Sequence, residues 1–333
     1  MFVALDGVRA REVFVGPDPA LLAPMGRESG ERDLPAPKLR ELGERIGVSV
    51  GAPGRGKPLR AQGPRFVSLP GYAEMLSGRK TRCVHNGCDV SHLRTLLSDV
   101  SQTPGVAEGD VVAFASWSRL ESLLRDDDGR VWVSAGRRLS RSFQGRAKAV
   151  GVDQLLDRGR RSSPSPGRDL YRPDRHTAAL ALGWIQKRRP VFVFLGLGDA
   201  DEHAHRGSYS GYLAALRASD GVIGRVWTWL EEERALGRET LLLVTTDHGR
   251  ARSFFHHEKE QESGDVWFVA AGSLVRPRGV VELGHAAFLR DVAPSIRALL
   301  RLTPDRSASA GREICGVLRV CDPDESLVGS SDP

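Results

Sequence analysis

Leu241-Leu242-Leu243-Val244-Thr245-Thr246-Asp247-His248-Gly249 is an apolar run that ends in a carboxylate and an imidazole. A second apolar run ends in the same way: Val191-Phe192-Val193-Phe194-Leu195 leads into Gly198-Asp199-Ala200-Asp201-Glu202-His203-Ala204-His205. Short apolar runs bounded by turn residues are typical of the buried strands of a parallel sheet. Because open α/β sheets bind ligands outside the carboxyl ends of their strands, the two runs predict a site at one sheet edge.

Strand patterns alternate with helical patterns along the rest of the chain. Apolar strand patterns occur at residues 2–6, 111–115, 131–133, 191–197, 241–246 and 266–271. Helical spacing occurs at residues 39–46, 72–76, 92–100, 177–187, 209–230 and 288–300. This alternation predicts an α/β fold, a three-layer α/β/α sandwich with a central, mostly parallel sheet and irregular insertions.

The domain organisation follows from shifts in composition. We expect one domain over residues 1–303, with residues 100–175 as a cap or lid insertion and residues 304–333 as a polar peripheral tail. Residues 157–174 are rich in Arg, Ser, Pro and Gly, which predicts a loop.

Composition excludes several classes of function. Of 333 residues, 40% are hydrophobic and 27% charged, as in ordinary globular proteins, and the net charge is 48 − 42 = +6. The basic residues are scattered, so we expect no nucleic-acid partner, and no apolar run is long enough to predict a membrane span. Nothing in the sequence predicts the oligomeric state.

The cysteines and the first residues bear on the cellular compartment. The four cysteines form two close pairs, Cys83 with Cys88 and Cys315 with Cys321. Met1 opens directly on a strand pattern without a signal peptide, which favours a cytoplasmic protein with reduced thiols. A periplasmic or secreted protein with two disulfides is the alternative if upstream residues are missing.

The two strand ends carry residues that suit a metal ion. Asp201 and His205 are four residues apart, so one helical turn brings both to the same ion. Asp247 and His248 are adjacent, but a turn at Gly249 lets both face one site. Imidazole and carboxylate are ligands for zinc, with manganese as the alternative.

Other histidines and acids near these ends need separate interpretation. His256 and His257 follow closely and offer a further imidazole, and five of the nine histidines lie between residues 203 and 257. We expect Asp199 to cap the following turn and His203 to be solvated, so neither is predicted as a ligand.

Two residues near the N-terminus are ambiguous when taken alone. Asp6 ends the first strand, and Ser68 lies just before a helical pattern. A serine at a helix N-terminus is commonly an N-cap. The same place also suits a phosphate group or a nucleophile, because backbone N–H groups converge there.

In order along the chain, these stretches resemble the alkaline phosphatase superfamily, and most closely its type I phosphodiesterase and nucleotide pyrophosphatase-like branch. The resemblance covers roughly residues 2–300, more weakly over residues 100–185. It rests on five motifs: Leu5-Asp6-Gly7-Val8-Arg9, the segment from Ser68-Leu69-Pro70-Gly71-Tyr72 to Gly78, Asp201-x-x-x-His205, Thr245-Thr246-Asp247-His248-Gly249, and a following histidine.

The resemblance implies a metal-dependent hydrolase of small phosphate esters, either diesters or monoesters, with two divalent ions. Ser68 would be the nucleophile, forming a phosphoseryl intermediate, and Asn86 would orient the phosphate. The implied ligands of one ion are Asp6, Asp247 and His248, next to Ser68. The implied ligands of the other are Asp201, His205 and either His256 or His257.

Two alternatives remain at this stage. Sulfatases of the same superfamily carry arginine four residues after the nucleophile, where this chain has Tyr72, and this disfavours a sulfatase. A non-catalytic metal-binding relative on the same scaffold is the other alternative, and the complete set of ligand positions disfavours it.

Overall fold

The computed structural model describes residues 1–25, 34–138 and 141–314 of the chain. Its strands are β1 (Phe2–Leu5), β2 (Val48–Val50), β3 (Leu59–Arg60), β4 (Val111–Ala115), β5 (Trp132–Ala135), β6 (Phe192–Leu197), β7 (Leu242–Thr245), β8 (Asp265–Val266), β9 (Phe268–Ala271), β10 (Gly279–Val280) and β11 (Ala287–Phe288). Its helices are α1 (Ala10–Phe14), α2 (Pro19–Leu22), α3 (Pro37–Glu41), α4 (Ser68–Ser77), α5 (Leu96–Ser101), α6 (Glu121–Leu124), α7 (Arg141–Val150), α8 (Asp153–Arg161), α9 (Asp174–Arg188), α10 (Asp199–His205), α11 (Tyr209–Ala235) and α12 (Val292–Leu299).

A main sheet has the strand order β10-β2-β9-β7-β1-β6-β4-β5. Its centre is parallel: β1 pairs with both β6 and β7, so that Phe2 lies opposite Phe194 and Leu243. β4 and β5 continue the parallel arrangement, whereas β9 runs antiparallel to β7 and β2. The predicted α/β fold with a mostly parallel sheet is confirmed.

Apolar side chains cover both faces of this sheet. In β1, Phe2 and Ala4 join one buried core, and Val3 and Leu5 join the other. Alternation along a strand sends successive side chains to opposite faces. Helices α4, α5 and α12 pack on the first face, and α9 and α11 pack on the second. This gives the predicted three layers.

The structure corrects three details of the sequence prediction. Residues 157–161 are not a loop but the last part of α8, which buries Leu156 and ends at Arg161. β4 and β5 lie within residues 100–175 and are strands of the main sheet rather than a cap over it. The predicted strand at 266–271 divides at Trp267 into β8, of a small sheet β11-β3-β8, and β9.

The cysteines also differ from expectation. Cys83 and Cys88 form a disulfide, so the prediction of reduced thiols is wrong for this pair. The two cysteines are five residues apart and bracket a short loop, which brings their side chains together. Cys315 and Cys321 lie outside the described residues.

Part of the C-terminal segment lies beside α4. Residues 304–314 of the predicted tail run past the end of α4, where Ala310 pairs with Arg79 and Ile314 is buried. Among the described helices, none combines the length and the apolar character needed to cross a membrane.

Candidate metal centre

The carboxyl ends of three adjacent strands bring the predicted residues together. Asp6 follows β1, Asp247 and His248 follow β7, and α10, which follows β6, carries Asp201 and His205. The chain must turn sharply after β1, and Gly7 permits this with φ = +63°. A Cβ at Gly7 would collide with the Asp201 carboxylate, so glycine also allows the close approach of the two strand ends.

One cluster joins Asp6, Asp247 and His248, all of which are buried. His248 Nε2 lies 3.5 Å from Asp6 Oδ1 and 3.6 Å from Asp247 Oδ2. Ser68, the first residue of α4, donates from Oγ to Asp6 Oδ1 at 3.1 Å and lies 3.5 Å from His248 Nε2. The hydroxyl and the three ligand-type side chains therefore share one small volume.

The donor set of this cluster fits a cation. Asp247 Oδ1 accepts the Gly7 N–H at 3.0 Å, but its buried Oδ2 has no hydrogen-bond partner among the described residues. Buried polar atoms are rarely left without a partner, and a bound ion is one way to satisfy them. A divalent cation would also offset the mutual repulsion of the carboxylates.

A second cluster joins Asp201, His248 and His257, with ligand atoms within 4.8 Å of one another. His205 lies beside it, with Nε2 2.9 Å from Asp201 Oδ2 and its ring 5.1 Å from that of His257. The four-residue spacing thus acts within α10 as predicted, bringing aspartate and histidine to the same point.

The structure distinguishes the two adjacent histidines that the sequence leaves open. His257 is buried and stacks on His248, whereas His256 is exposed to solvent outside both clusters. His257 Nδ1 lies 2.6 Å from the Phe66 carbonyl oxygen, and His248 Nδ1 lies 2.8 Å from the Gly249 carbonyl oxygen. These contacts place the proton on Nδ1 in each ring, so that Nε2 is the atom available to coordinate a metal ion.

Burial and charge set the protonation of the cluster. Burial raises the pKa of Asp247 to about 8, and the negative charge of Asp201 adds to this shift. Burial, then the charges of Asp247 and Asp201, hold the pKa of Asp6 well above its ordinary value. Burial lowers the pKa of His248 to about 4 and that of His257 to about 3. His248 and His257 are therefore neutral near pH 7, and Asp247 retains a proton without a cation. The hydrogen bond to Asp201 raises the pKa of His205.

Arg250 is a residue of the site that sequence reasoning missed. Its buried guanidinium donates to the Asp201 carboxylate and, at 2.9 Å, to the Phe254 carbonyl oxygen. Burial acts to raise the pKa of Asp201, but the charge of Arg250 and the hydrogen bond from His205 hold it well below its ordinary value. Arg250 follows Gly249 directly, and this position was the only signal available from the sequence.

The structure also gives the contacts of Asp199 and Asn86, and those of Asp199 differ from the sequence prediction. Asp199 does not cap its own turn: its Oδ1 accepts the Asp174 N–H at 3.1 Å and the Tyr171 hydroxyl at 2.8 Å, so it serves the start of α9. Asp174 in turn accepts the Asp199 N–H, because the two helix N-termini face each other. Asn86 lies in the disulfide loop, where its Oδ1 accepts the Leu69 N–H at 2.9 Å, next to Ser68.

Residues 174–304 match the model of the Metalloenzyme superfamily. This segment contains the candidate ligands from α10, β7 and the loop that follows, whereas Asp6 and Ser68 precede it. No curated protein matches the sequence.

Solved structures share the fold at low sequence identity. A 2-O GAG sulfatase is 14% identical with a TM-score of 0.61, over 96% of this chain and 73% of that chain. A phosphonate monoester hydrolase from Silicibacter pomeroyi is 15% identical with a TM-score of 0.59, over 97% of this chain and 77% of that chain. A protein of the alkaline phosphatase superfamily from Vibrio parahaemolyticus is 12% identical with a TM-score of 0.54, over 94% and 68% of the two chains.

The comparisons confirm the predicted fold, and the family match covers residues 174–304. They do not specify the nucleotide pyrophosphatase-like branch, which stays a prediction. The match to the Metalloenzyme superfamily and the two clusters both indicate divalent metal ions.

Proposed function

We propose that this chain, with its alkaline phosphatase-like fold, is a metal-dependent hydrolase of phosphate esters that uses Ser68 as nucleophile. Similar structures are named as a sulfatase and a phosphonate monoester hydrolase, which supports an ester hydrolase acting on sulfate or phosphate esters. The observation that carries the proposal is the position of Ser68 Oγ, 3.1 Å from Asp6 Oδ1 and 3.5 Å from His248 Nε2.

Two groups of side chains would hold the ions. Asp6, Asp247 and His248 would hold one next to Ser68, and Asp201, His205 and His257 would hold the other. Zinc suits these nitrogen and oxygen donors, and manganese is the alternative. When bound, two such ions supply positive charge that offsets the charge on the phosphoryl group and on the entering and leaving oxygens.

Ser68 must lose its proton as it attacks. Its hydroxyl donates to Asp6 Oδ1, which gives the proton a direction of transfer. As the bond from Oγ to phosphorus forms, the bond from phosphorus to the leaving oxygen breaks, and the leaving oxygen takes up the proton that Ser68 has lost, which leaves a phosphoserine and a free alcohol. Water then attacks phosphorus as the bond from phosphorus to Oγ breaks. One proton of the water restores the Ser68 hydroxyl, and phosphate or a monoester is released.

Asn86 is suited to orient the substrate. Its Oδ1 is occupied by the Leu69 N–H, so the two N–H donors of Nδ2 are directed elsewhere. The N-terminus of α4 has few free donors of its own, because Pro70 lacks an N–H and the Leu69 N–H is engaged. A side-chain donor next to Ser68 would therefore hold a phosphoryl oxygen that the helix cannot hold alone.

Tyr72 supports phosphate over sulfate esters. The position that would carry arginine in a sulfatase holds a tyrosine that is only 1% exposed and packs edge-on against Phe194. Its side chain belongs to the hydrophobic core under α4 and supplies no positive charge where a sulfatase would carry one.

The direct test compares two serines of the same helix. Ser68→Ala should reduce hydrolysis of phosphate esters by at least about a thousandfold, since it removes the nucleophile. Ser77→Ala, at the other end of α4, is the control, because the Ser77 hydroxyl bonds only to backbone groups: it donates to the Ala73 carbonyl oxygen and accepts the Arg79 N–H. Monoesters, diesters and sulfate esters are assayed with zinc and with manganese, and acid-quenched samples are searched for phosphoserine by mass spectrometry. Near wild-type activity of Ser68→Ala would refute the assigned role.

A further inference from the structure

A cavity of about 370 Å³ lies beside the candidate metal centre, on the side of β4 and β5. Its lining includes Asn86, Trp117, Arg119, Glu121, Arg125 and Arg138. Residues 117–125 follow the carboxyl end of β4, so the cavity opens at the same sheet edge as Asp6 and Asp201.

Asn86 connects the cavity to the reacting group. Its side chain accepts the Leu69 N–H at 2.9 Å, one residue from Ser68, and its main-chain oxygen accepts from Arg119 Nε at 3.1 Å. Arg119 also donates from Nη2 to the Cys88 carbonyl oxygen at 3.1 Å, so it holds the C-terminal half of the disulfide loop at two points. A substrate whose phosphoryl group lies at Ser68 can therefore extend past Asn86 into this cavity.

The charge of the cavity is positive. It contains three arginines and one glutamate among the residues named, a balance of 3 − 1 = +2. Glu121 pairs with both Arg125 and Arg138, while Arg119 pairs with backbone oxygens and with no described carboxylate. Two of the three positive charges are thus left without a matching negative charge.

This charge contrasts with the metal centre, where carboxylates dominate. Guanidinium groups bind carboxylate, phosphate and sulfate groups through paired N–H donors. Arg125 and Arg138 are more than half exposed and share the single carboxylate of Glu121, so both retain N–H donors for a ligand.

We infer that the cavity binds a second oxyanion of the substrate, an inference that rests on the proposed function. The substrate class is then a phosphate ester with a further carboxylate, sulfonate, sulfate or phosphate on the part of the molecule that extends away from the reacting phosphorus. The cavity selects for this group by charge, whereas the metal centre acts on the ester itself.

The test compares esters with and without a second charge, and the variants separate binding of that charge from the effect of the substituent on the leaving group. Zinc-loaded protein is assayed with phenyl phosphate, 4-carboxyphenyl phosphate and 4-sulfophenyl phosphate at low salt, and kcat/KM of each charged ester is divided by that of phenyl phosphate. In the wild type this ratio should exceed about five, as expected for two partly exposed charge contacts.

Variants should move the ratio in opposite directions. The double variant Arg125→Gln with Arg138→Gln should bring it close to one, and Glu121→Gln should raise it about two- to threefold. Arg234→Gln is the matched control: Arg234 is a similarly exposed, ion-paired arginine on α11, away from the cavity, and its loss should leave the ratio unchanged. If the double variant lowers the kcat/KM ratio equally for the carboxylate and the sulfonate, the cavity recognises any oxyanion. If it lowers the ratio for one ester alone, that ester carries the preferred group.

A binding measurement separates this inference from the proposed function. Calorimetry with benzylphosphonate and 4-carboxybenzylphosphonate, which cannot be hydrolysed, should show tighter binding of the second, lost in the double variant. If no ester is hydrolysed but this difference persists, the proposed function fails and the cavity assignment stands. If esters are hydrolysed with a ratio near one, or with the same ratio in the double variant, the cavity assignment is overturned alone.

Discussion

The imidazole rings of His248 and His257 are stacked, with centroids 4.3 Å apart and an angle of 2° between their planes. Each ring is fixed by a carbonyl oxygen at Nδ1, from Gly249 and Phe66 respectively. Two parallel neutral rings held in this way present both Nε2 atoms toward the carboxylates, so the rings need not reorient when an ion binds.

This arrangement predicts that two adjacent histidines differ strongly in their effect on metal binding. His257→Ala should lower the affinity for one zinc ion by more than about a hundredfold. The reason is that loss of a group that only hydrogen-bonds to a metal ligand already costs about 10- to 100-fold, and loss of the ligand itself should cost more. His256→Ala is the control, since that side chain is exposed and belongs to neither cluster. Zinc content after dialysis, measured by mass spectrometry, should fall from two ions per chain to one only in His257→Ala. Similar losses in the two variants would contradict the assignment.

The choice between His256 and His257 shows where sequence reasoning ends. The apolar runs predicted β1, β6 and β7 because their burial on both faces leaves a continuous apolar pattern. The ligands at their ends followed because parallel strands share a carboxyl edge. The two histidines lie in a loop, however, and the contact that selects His257 comes from Phe66, which is 191 residues away. No local pattern encodes that contact.

Arg250 was missed, and the disulfide between Cys83 and Cys88 was predicted only as the alternative to reduced thiols. An arginine after a turn is usually solvated, and its burial depends on Asp201 and Phe254 arriving from other elements. The close spacing of Cys83 and Cys88 indicated their pairing, but the contacts of Arg119 with the Asn86 and Cys88 carbonyl oxygens come from about 30 residues along the chain and have no local signal. Long-range contacts to loops, rather than the strands themselves, are what the sequence could not show.

Metal binding should release protons near pH 7. Without metal, burial and the charge of Asp201 raise the pKa of Asp247 to about 8, so this carboxyl carries a proton at pH 7. Burial and the neighbouring carboxylates also hold the pKa of Asp6 well above its ordinary value, which favours its protonated form. A cation binds the ionised forms, and the protons leave. His248 and His257 contribute none, since their pKa values of about 4 and about 3 keep them neutral. The hydrogen bond to Asp201 raises the pKa of His205, which favours the release of a further proton from that ring.

Calorimetric titration of zinc in buffers of different ionisation enthalpy measures this release. At pH 7 we expect about one to two protons per chain in the wild type, and a smaller number in Asp247→Asn. Apparent affinity should therefore rise from pH 6 to pH 8. A binding enthalpy that does not depend on the buffer would contradict the prediction.

Glu74 should make stability depend on pH away from the metal centre. Burial raises the pKa of this carboxyl to about 7 from 4.5, although it accepts the N–H groups of Gln62 and Arg290. The folded state thus binds a proton that the unfolded state has lost. The stabilisation is fully present below pH 4.5 and disappears as the pH rises through 7, with a span on the order of 3 kcal/mol.

The matched comparison is Glu74→Gln, which cannot titrate. The free energy of unfolding of the wild type minus that of the variant, from urea titrations, should decrease steadily between pH 4.5 and pH 7 and be flat above pH 8. Parallel curves for the two proteins across this interval would show that Glu74 does not titrate as described.

Arg250 should stabilise the metal-free protein and matter less once metal is bound. Its guanidinium is the main positive charge beside the buried Asp201 carboxylate, so Arg250→Met leaves that charge poorly compensated. Breaking a buried ion pair in this way costs about 3–5 kcal/mol. A divalent ion at Asp201 would restore much of the compensation, so zinc should raise the Tm of the variant more than that of the wild type.

Arg297→Met provides the control for this rescue. Arg297 is also buried and pairs with a carboxylate, Asp99, at 2.7 Å, but it lies on α12 beyond the opposite end of α4. Thermal unfolding should show both variants destabilised without zinc, and only Arg250→Met recovering when zinc is added. Equal increments of Tm with zinc in the two variants would mean that Arg250 supports the fold without compensating the ligand Asp201.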